Sequence, residues 1–478
     1  MIKGRNNLLK PALILTFLCV SLLVFFTGLS RSWTGENDQL KLSSAYNCAS
    51  TMDLAQGIAV DSSGNVYVTG YSYSDDTDYD YVTLKYDENG NQLWVSRYNG
   101  PANKTDYAQA VVIDFEGNVI VSGHSSGKGT SLDATTIKYD GQGRQLWIAR
   151  YDGPAHRDDY AYAIAADDGG NTYVSGYSFG KGTEHDFLIL KYDPNGQLLW
   201  VARYNPPRNR DDICETIAID AEGNVYVTGI DRTSKTSYDF ATLKYSSDGQ
   251  KVWMARFGGP GSNFDAAKAI AVDLDQNVYV AGFSYEGEKQ YDYVTIKYDS
   301  NGNQRWIAKY NGPARRVDEA LDLIVDDTGN VYVTGKSCGS GTGSDCATIK
   351  YDKDGHQIWV ARYNGPENGA DVAHSIALDS DMNVVVAGYS LGEETCRDYI
   401  MIKYAPDGRQ LWASRYNGPA GGIDEAKTLS LDSKGNIYVT GYSYGGESDF
   451  DYATLKYDSH GKLLWAARYC GKKKENPE

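Results

Sequence analysis

Short apolar runs separated by turn-forming residues recur along this chain at a fixed interval. In the first unit the runs are Gly57–Val60, Val66–Thr69, Tyr81–Tyr86 and Leu93–Tyr98, each rich in β-branched and aromatic residues. Runs of this kind bounded by Gly, Asn and Asp predict β-strands. The first connection, Asp61–Asn65, has the Asp, Gly and Asn that tight hairpins need, and the third has the same chemistry. The unit is therefore predicted to be a four-stranded antiparallel sheet.

The unit recurs eight times at a spacing of 53 residues. Four antiparallel strands per repeat are typical of a propeller blade, and closing the ring of blades removes the need for capping repeats. The fold class is predicted as all-β, a closed eight-bladed β-propeller over residues 54–471. One tryptophan marks the fourth strand of each unit: Trp94, Trp147, Trp200, Trp253, Trp306, Trp359, Trp412 and Trp465.

Residues that recur in all eight units are predicted to be architectural, because a single site does not need the same group eight times. The tryptophans are expected to fill the space between adjacent blades as apolar plugs, with sugar-stacking platforms as the alternative. Gly70 is expected where no side chain fits. Lys85 lies in mid-strand, so a buried ammonium must meet a carboxylate or carbonyls, and the Asp80 or Asp53 series could supply the partner.

The N-terminus differs from the repeats. Lys3, Arg5 and Lys10 precede an apolar run over residues 11–29, so residues 1–30 are predicted as a cleaved signal peptide or an uncleaved membrane anchor. Residues 31–53 are predicted as a linker and a decayed fourth strand that joins the ring, and residues 472–478 as a basic and polar tail. The expected location is extra-cytoplasmic: secreted, periplasmic or at the cell surface.

Two disulfides are predicted among the cysteines. Residues 39–48 match a fourth strand without its tryptophan, so Cys48 and Cys470 fall at nearly equivalent angles of the ring and are expected to lock its closure. Cys338 and Cys346 flank the long loop of the sixth blade and are expected to form a local bridge; zinc is the weaker reading, because no His lies nearby. Two bridges suit an oxidising compartment.

Two further cysteines are left unpaired. Cys214 replaces a small residue and is expected to be a buried thiol, and Cys396 lies in a long loop of the seventh blade.

The stretch GIAVDSSGNVYVTG followed by KYDENGNQLW resembles the bacterial β-propeller repeat family labelled SBBP, and its first half is similar to the NHL repeat. The resemblance covers nearly all of residues 54–471. It implies a propeller whose first strands line the central channel, in secreted or surface-exposed proteins of mostly unassigned activity. The segment KYDENGNQLW is also similar to a strand pair of eight-bladed quinoprotein dehydrogenases. The cofactor site of those enzymes requires a vicinal Cys pair, which this sequence lacks. No catalytic residue is therefore assigned from that resemblance.

The net charge and the composition of the loops limit the classes of ligand that the chain is expected to bind. The net charge of −17 repels phosphate backbones, so nucleic acid is not an expected partner, and the membrane is expected only through the N-terminal segment. Strand alternation puts the long second loops and the links between units on one face, where side chains vary. No catalytic residue and no cofactor are predicted. Oxygen-rich loops suit Ca²⁺, and the densest carboxylate cluster is Asp75, Asp76, Asp78 and Asp80, for which a solvated acidic loop without a metal is the favoured alternative.

The sequence therefore predicts a monomeric binding or scaffold propeller for a protein or carbohydrate ligand on the long-loop face. The alternative is a glycan-active hydrolase or lyase with its site at the central channel, which would need inward acid or His residues in one blade. The fourth unit departs most from the template, through Pro206, Pro207, Arg208, Arg210, Cys214 and Arg232.

Overall fold

The computed structural model describes residues 52–206, 210–232, 238–260, 263–287, 290–392, 396–446 and 449–471. Within these ranges the chain forms eight four-stranded antiparallel sheets, each built from four consecutive strands, as the repeat predicts. The first strands of neighbouring sheets contact one another all the way round, so they line the centre of the ring. The fourth strands are the most exposed and lie at the periphery.

The strands have the following bounds. Blades one to four contain β1 (Asp53–Val60), β2 (Val66–Ser74), β3 (Asp78–Tyr86), β4 (Gln92–Tyr98), β5 (Asp106–Ile113), β6 (Val119–Ser126), β7 (Leu132–Tyr139), β8 (Gln145–Tyr151), β9 (Asp159–Ala166), β10 (Thr172–Phe179), β11 (His185–Tyr192), β12 (Leu198–Tyr204), β13 (Asp212–Ile219), β14 (Val225–Asp231), β15 (Asp239–Tyr245) and β16 (Lys251–Phe257). Blades five to eight contain β17 (Ala266–Val272), β18 (Val278–Gly287), β19 (Gln290–Tyr298), β20 (Gln304–Tyr310), β21 (Asp318–Val325), β22 (Val331–Cys338), β23 (Ser344–Tyr351), β24 (Gln357–Tyr363), β25 (Asp371–Leu378), β26 (Val384–Leu391), β27 (Arg397–Tyr404), β28 (Gln410–Tyr416), β29 (Asp424–Leu431), β30 (Ile437–Gly446), β31 (Asp449–Tyr457) and β32 (Leu463–Tyr469).

The first strand is longer than its apolar run because it contains a β-bulge. Ala55 pairs with Gly70 and Gly57 pairs with Thr69, so Gln56 is the extra residue. A Cβ on Gly70 would lie 2.0 Å from the carbonyl oxygen of Leu54, which explains why only glycine occupies this position. Bulges redirect side chains, and this bulge recurs in the first strand of each of the other blades.

Each tryptophan lies between its own blade and the next. The Trp94 indole N–H donates to the carbonyl of Gly141 at 3.2 Å, and its ring approaches those of Tyr67 and Tyr139. A Cβ on Gly143 would lie only 2.7 Å from Trp94 Cδ2, and Gly143 has a φ of +79°. The turn of the next blade therefore needs glycine for both its backbone and its packing.

The lysine series does not pair with the Asp80 or Asp53 series, so that suggested partnership is wrong. Lys85 Nζ donates to the carbonyl of Gly141 at 3.1 Å and lies over the Tyr67 ring. The lysine and Asp80 are at opposite ends of the same strand, and Asp80 pairs instead with Arg97 at 2.7 Å. Six blades have this arginine–aspartate pair: Arg97–Asp80, Arg150–Asp133, Arg203–Asp186, Arg362–Asp345, Arg415–Asp398 and Arg468–Asp451.

The blade-eight to blade-one junction repeats the contacts of the other junctions. Trp465 donates to the carbonyl of Glu88 at 3.1 Å, and the backbone N–H of Gly471 donates to Asp53 at 2.7 Å. Among the described residues, each sheet keeps its own four strands and blade eight borrows none from the N-terminal side.

The predicted Cys338–Cys346 disulfide is wrong, because both thiols are free. Cys338 stands opposite Ser344, and Cys346 stands opposite Lys336. The two cysteines are thus diagonal neighbours, and diagonal pairs lie about 7–8 Å apart, beyond the roughly 3.5–4.5 Å Cβ separation of a disulfide. Cys214 is buried and free and Cys396 is exposed and free, as expected.

The Cys48–Cys470 bridge stays a prediction. Cys48 lies outside the described residues, as do the predicted signal or anchor, nearly all of the linker, and the tail. In the part of the chain that is described, no helix is long and apolar enough to cross a membrane.

Candidate functional site

The long-loop face is the face that carries the connections 75–77 and 99–105 of blade one and their equivalents. Beside it, several positions that the repeat does not conserve project from the first three strands of each blade. In blades one to three these positions are mostly aromatic. We call the following ten rings the aromatic arc: Tyr71, Tyr73, Tyr79, Tyr107, His124, Tyr160, Tyr162, Tyr177, Phe179 and His185.

The rings of the aromatic arc are in continuous contact across three blades. Tyr71 and Tyr107 join blades one and two with ring centroids 4.5 Å apart. His124 lies 5.3 Å from Tyr107 and 4.4 Å from Tyr160, and so joins blades two and three. Nine of the ten rings are partly exposed and His124 alone is buried. The rings of the arc are therefore packed on one another and reach solvent with part of their surface.

Burial sets the protonation of the arc. It lowers the pKa of His124 to about 3, so this imidazole is neutral at physiological pH. Burial also raises the pKa of Tyr160 to about 12, helped by the charge of Asp158. Tyr177 shifts in the same direction, through burial and the neighbouring Tyr162. The imidazole of His124 and the hydroxyls of Tyr160 and Tyr177 are thus uncharged at physiological pH.

The charged groups at the rim of the arc are already engaged. Asp78 accepts from Thr105 at 2.8 Å, and Asp158 accepts from Ser131. His185 lies 2.8 Å from Asp211, and the Arg157 guanidinium is 3.6 Å from the centre of the Phe179 ring. Each of these charged groups therefore has a partner, although a hydroxyl or an aromatic ring does not cancel the charge that it contacts.

Ion pairs occupy some of the equivalent positions in the other half of the ring, where blades five and eight also have aromatic rings: Phe283, Tyr285, Tyr291, Tyr442, Tyr444 and Phe450. Lys268 contacts Glu215 at 2.7 Å, and Lys336 contacts Glu319 at 3.0 Å. The largest group surrounds Glu425, which is 4% exposed and accepts from Lys427, Arg397 and Tyr442.

His374 Nε2 also lies 3.3 Å from Glu425. Burial alone would raise the pKa of Glu425, but the hydrogen bond from His374 and the charge of Lys427 hold it well below its usual range. The carboxylate is thus ionised and surrounded by donors.

The carboxylates singled out for calcium do not form a common site. Asp80 is committed to Arg97 and Asp78 to Thr105, while Asp75 and Asp76 are exposed. In the described residues the three carboxylates that do converge are Asp133, Asp152 and Asp159, with oxygens within 4.8 Å of one another. Two of the three already serve the repeat: Asp133 pairs with Arg150, and Asp159 accepts the N–H of Gly153.

Blade four contains a buried acid pair at one of its irregular positions. Asp212 and Asp231 are direct cross-strand partners and both are fully buried. Arg256 Nε donates to Asp231 at 2.6 Å, and Tyr204 also donates to it. Burial and the Asp231 charge raise the pKa of Asp212 to about 9. Seven blades have serine at the Asp231 position.

A peripheral groove of about 580 Å³ lies beside this pair, between the fourth strands of blades three and four. Tyr204, Pro206, Met254 and Arg256 are among its lining residues. The acid pair itself is sealed from solvent behind Arg256 and Tyr204, so it does not face the groove as a reactive group.

Sequence reasoning missed both the aromatic arc and the Glu425 group. Their positions alternate with the recurrent ones, and the signal that could have found them is blade-to-blade variation at these fixed offsets. What the spacing could not supply was the packing between adjacent blades, which brings Tyr107 beside Tyr71 and Arg397 beside Glu425.

Comparisons with known proteins place this geometry among propellers. The β-propeller repeat family SBBP matches residues 53–76. A curated relative, an uncharacterised WD repeat-containing protein of Acanthamoeba polyphaga mimivirus, is 21% identical over 80% of this chain. The chain spans 29% of that relative's length.

Two solved structures align with this chain at low sequence identity. A eukaryotic initiation factor aligns with a TM-score of 0.45 and 9% identity, covering 90% of each chain. A puromycin hydrolase aligns with a TM-score of 0.48 and 10% identity, covering 84% of this chain and 58% of its own.

One family model extends over more than half of the 478 residues, from residue 185 to residue 443. The chain therefore belongs to the β-propeller family described as outer membrane protein assembly factor BamB.

Proposed function

We propose that this chain is a binding or scaffold propeller whose ligand, a protein or a carbohydrate, docks on the long-loop face. The observation that carries the proposal is the unbroken series of partly exposed ring contacts across blades one to three, at positions where other blades have ion pairs in part, on a backbone that is otherwise repeated eight times. Tyrosine and arginine at a surface are the side chains that most often dominate binding energy. The family supports a protein partner, since its description is that of an assembly factor.

An extra-cytoplasmic location is part of the proposal. It rests on the apolar N-terminal run behind Lys3, Arg5 and Lys10 and on the acidic body. Intact cells that express the chain should lose it to external protease, or release it from the periplasm on osmotic shock. A chain that fractionates only with the cytoplasm contradicts this part.

The binding role is tested by immobilising the chain and comparing variants of its two faces. Tyr107→Ile with Tyr160→Ile alters the aromatic arc, whereas Phe115→Ile alters an exposed ring in a tight hairpin of the opposite face. We expect the first variant, and not the second, to lose a saturable ligand from a panel of envelope proteins and glycans. Equal loss in both variants, or no saturable ligand at all, would contradict the proposal.

The enzymatic alternative has one observation in its favour, the Glu425 group. His374 and Glu425 lie on the first strands of blades seven and eight, so they supply a His and an acid beside the channel, although from two blades rather than one. However, hydrolysis of a glycoside usually needs two carboxyl groups, one of them protonated, and Glu425 is ionised and accepts from three donors. We therefore place this function second. Its test is product release from a polysaccharide panel that disappears in Glu425→Gln.

A further inference from the structure

The aromatic arc has the chemistry of a surface for uncharged polyhydroxylated ligands. Its tyrosines offer an apolar face and a hydroxyl on the same ring. Sugars have the same double character, because their C–H groups pack on ring faces while their hydroxyls exchange hydrogen bonds. Tyr162 and Tyr177 already join their hydroxyls at 3.3 Å, so hydroxyl–hydroxyl contacts are available at this surface.

Charge narrows the class of ligand. The rim charges are engaged with Thr105, Ser131, His185 and Phe179. The chain as a whole has a net charge of −17, which repels polyanions such as uronate or sulfate polymers. A neutral ligand incurs neither that repulsion nor the desolvation of an unpaired charge.

The extent of the arc indicates a chain rather than a single sugar. The ring contacts run without a break from Tyr73 in blade one through Tyr107 and Tyr160 to Phe179 in blade three. Successive blades repeat the same backbone, so they offer successive and similar binding positions. A polymer with repeating units matches this arrangement.

We propose that the aromatic arc binds a neutral glycan chain, with its tyrosine rings stacking on successive sugar units. The inference rests on the proposed binding function and gives that site its ligand class. A protein segment is the competing occupant, and the experiment below separates the two.

The test titrates the full chain by calorimetry with neutral hexasaccharides of glucose, mannose and N-acetylglucosamine, and with a hexasaccharide of galacturonic acid as the anionic comparison. The informative variant is Tyr160→Ile with Tyr177→Ile. These two residues are cross-strand partners, and the same positions in blade four are the pair Ile213 and Ile230, so the fold already accommodates the replacement. Phe115→Ile is the matched control on the opposite face.

We expect at least one neutral hexasaccharide to bind, the double variant to bind it at least tenfold more weakly, and Phe115→Ile to bind it as the unchanged chain does. Binding of the uronate alone, or equal neutral binding in the double variant, overturns the inference. If no hexasaccharide binds but a protein ligand does and the double variant loses it, the glycan inference fails and the proposed function stands. If neither kind of ligand binds, both fail.

Discussion

The recurrent lysine of the third strand meets different partners in different blades. In blade two, Lys138 is buried and pairs with the buried Asp114 at 2.7 Å. In blade one, Lys85 reaches only the carbonyl of Gly141 and the Tyr67 ring. Comparing Lys138 with Lys85 therefore measures how much an ion pair with a buried carboxylate adds to the free energy of unfolding.

We expect Lys138→Met to lower the free energy of unfolding by about 3–5 kcal/mol, because it leaves Asp114 buried without its counter-ion. Lys85→Met removes only a hydrogen bond and a ring contact and should lower it by about 1 kcal/mol. Urea denaturation at pH 7 measures both variants. Equal effects would show that the Lys138–Asp114 pair is not energetically distinct.

The buried acid pair of blade four makes stability depend on pH. The pKa of Asp212 is raised to about 9 in the folded chain, against about 3.9 in unfolded chains, so the folded state holds a proton that the unfolded state releases. The contribution is fully present below pH 4 and is lost as pH rises through 9.

Asp231→Ser restores the residue of the other seven blades and removes the charge that opposes ionisation of Asp212. We expect the denaturation midpoint of the unchanged chain to fall between pH 6 and pH 9, and that of the variant to fall less over the same range. Parallel pH profiles for the two proteins would show that the acids do not share a proton.

At the scale of the strand and turn, the contact between Trp94 and the turn of the next blade is the critical packing element. Gly143 and Gly117 both have φ near +80°, but a Cβ on Gly143 would lie 2.7 Å from Trp94, whereas a Cβ on Gly117 meets nothing within 4 Å. The two glycines separate backbone strain from packing.

We expect Gly117→Ala to cost about 1–2 kcal/mol for its left-handed backbone alone. Gly143→Ala should cost a further 1–3 kcal/mol or so, because the added methyl displaces the indole. Trp94→Ala combined with Gly143→Ala provides the cycle: the extra cost of Gly143→Ala should vanish when the indole is absent. Thermal denaturation followed by tryptophan fluorescence and circular dichroism measures the series.

The elements could be predicted from the sequence much better than their pairing. Turn residues such as Asp61 and Gly64 and the 53-residue period gave the number and order of strands. The apolar runs placed the start of β1 four residues late, because a bulge at Gln56 lets the strand continue past the run. A disulfide between Cys338 and Cys346 was predicted from their places on either side of one loop. The register of β22 and β23 offsets them by two residues, and spacing along the chain does not determine that register.

The site was the least predictable part. Tyr107 and His124 are unremarkable in sequence, and their role arises from ring contacts with residues 28 or more positions away in blades one and three. Asp231 is visible as a departure from serine, but only the register shows that it opposes Asp212. Residues that recur in every blade identify the framework of the propeller. The candidate site lies at the positions that vary between blades, which a search for recurring residues does not find.

At the scale of the whole molecule, the ring holds together at eight equivalent junctions. The described part of the closing junction repeats the contacts of the others, and the predicted Cys48–Cys470 bridge would be its one distinctive feature. In the chain-entropy model a loop of this length adds on the order of 4–5 kcal/mol, often less in practice.

We therefore expect the double variant Cys48→Ser with Cys470→Ser to unfold at a lower urea concentration than the unchanged chain. Under reducing conditions, which would break the bridge in the unchanged chain, the two proteins should unfold at the same urea concentration. Non-reducing peptide mapping checks the bond directly. Detection of both thiols in unmodified form would remove the predicted bridge.

The contact of Gly471 with Asp53 has a consequence for the order of the chain along the ring. Because Gly471 and Asp53, at the two ends of the described chain, already touch, and every described sheet is contiguous in sequence, the described ring has no preferred origin. A chain rejoined across this junction and reopened between any two other blades should trace the same circle, so the eight blades differ in what they present to a ligand and not in where the polypeptide starts.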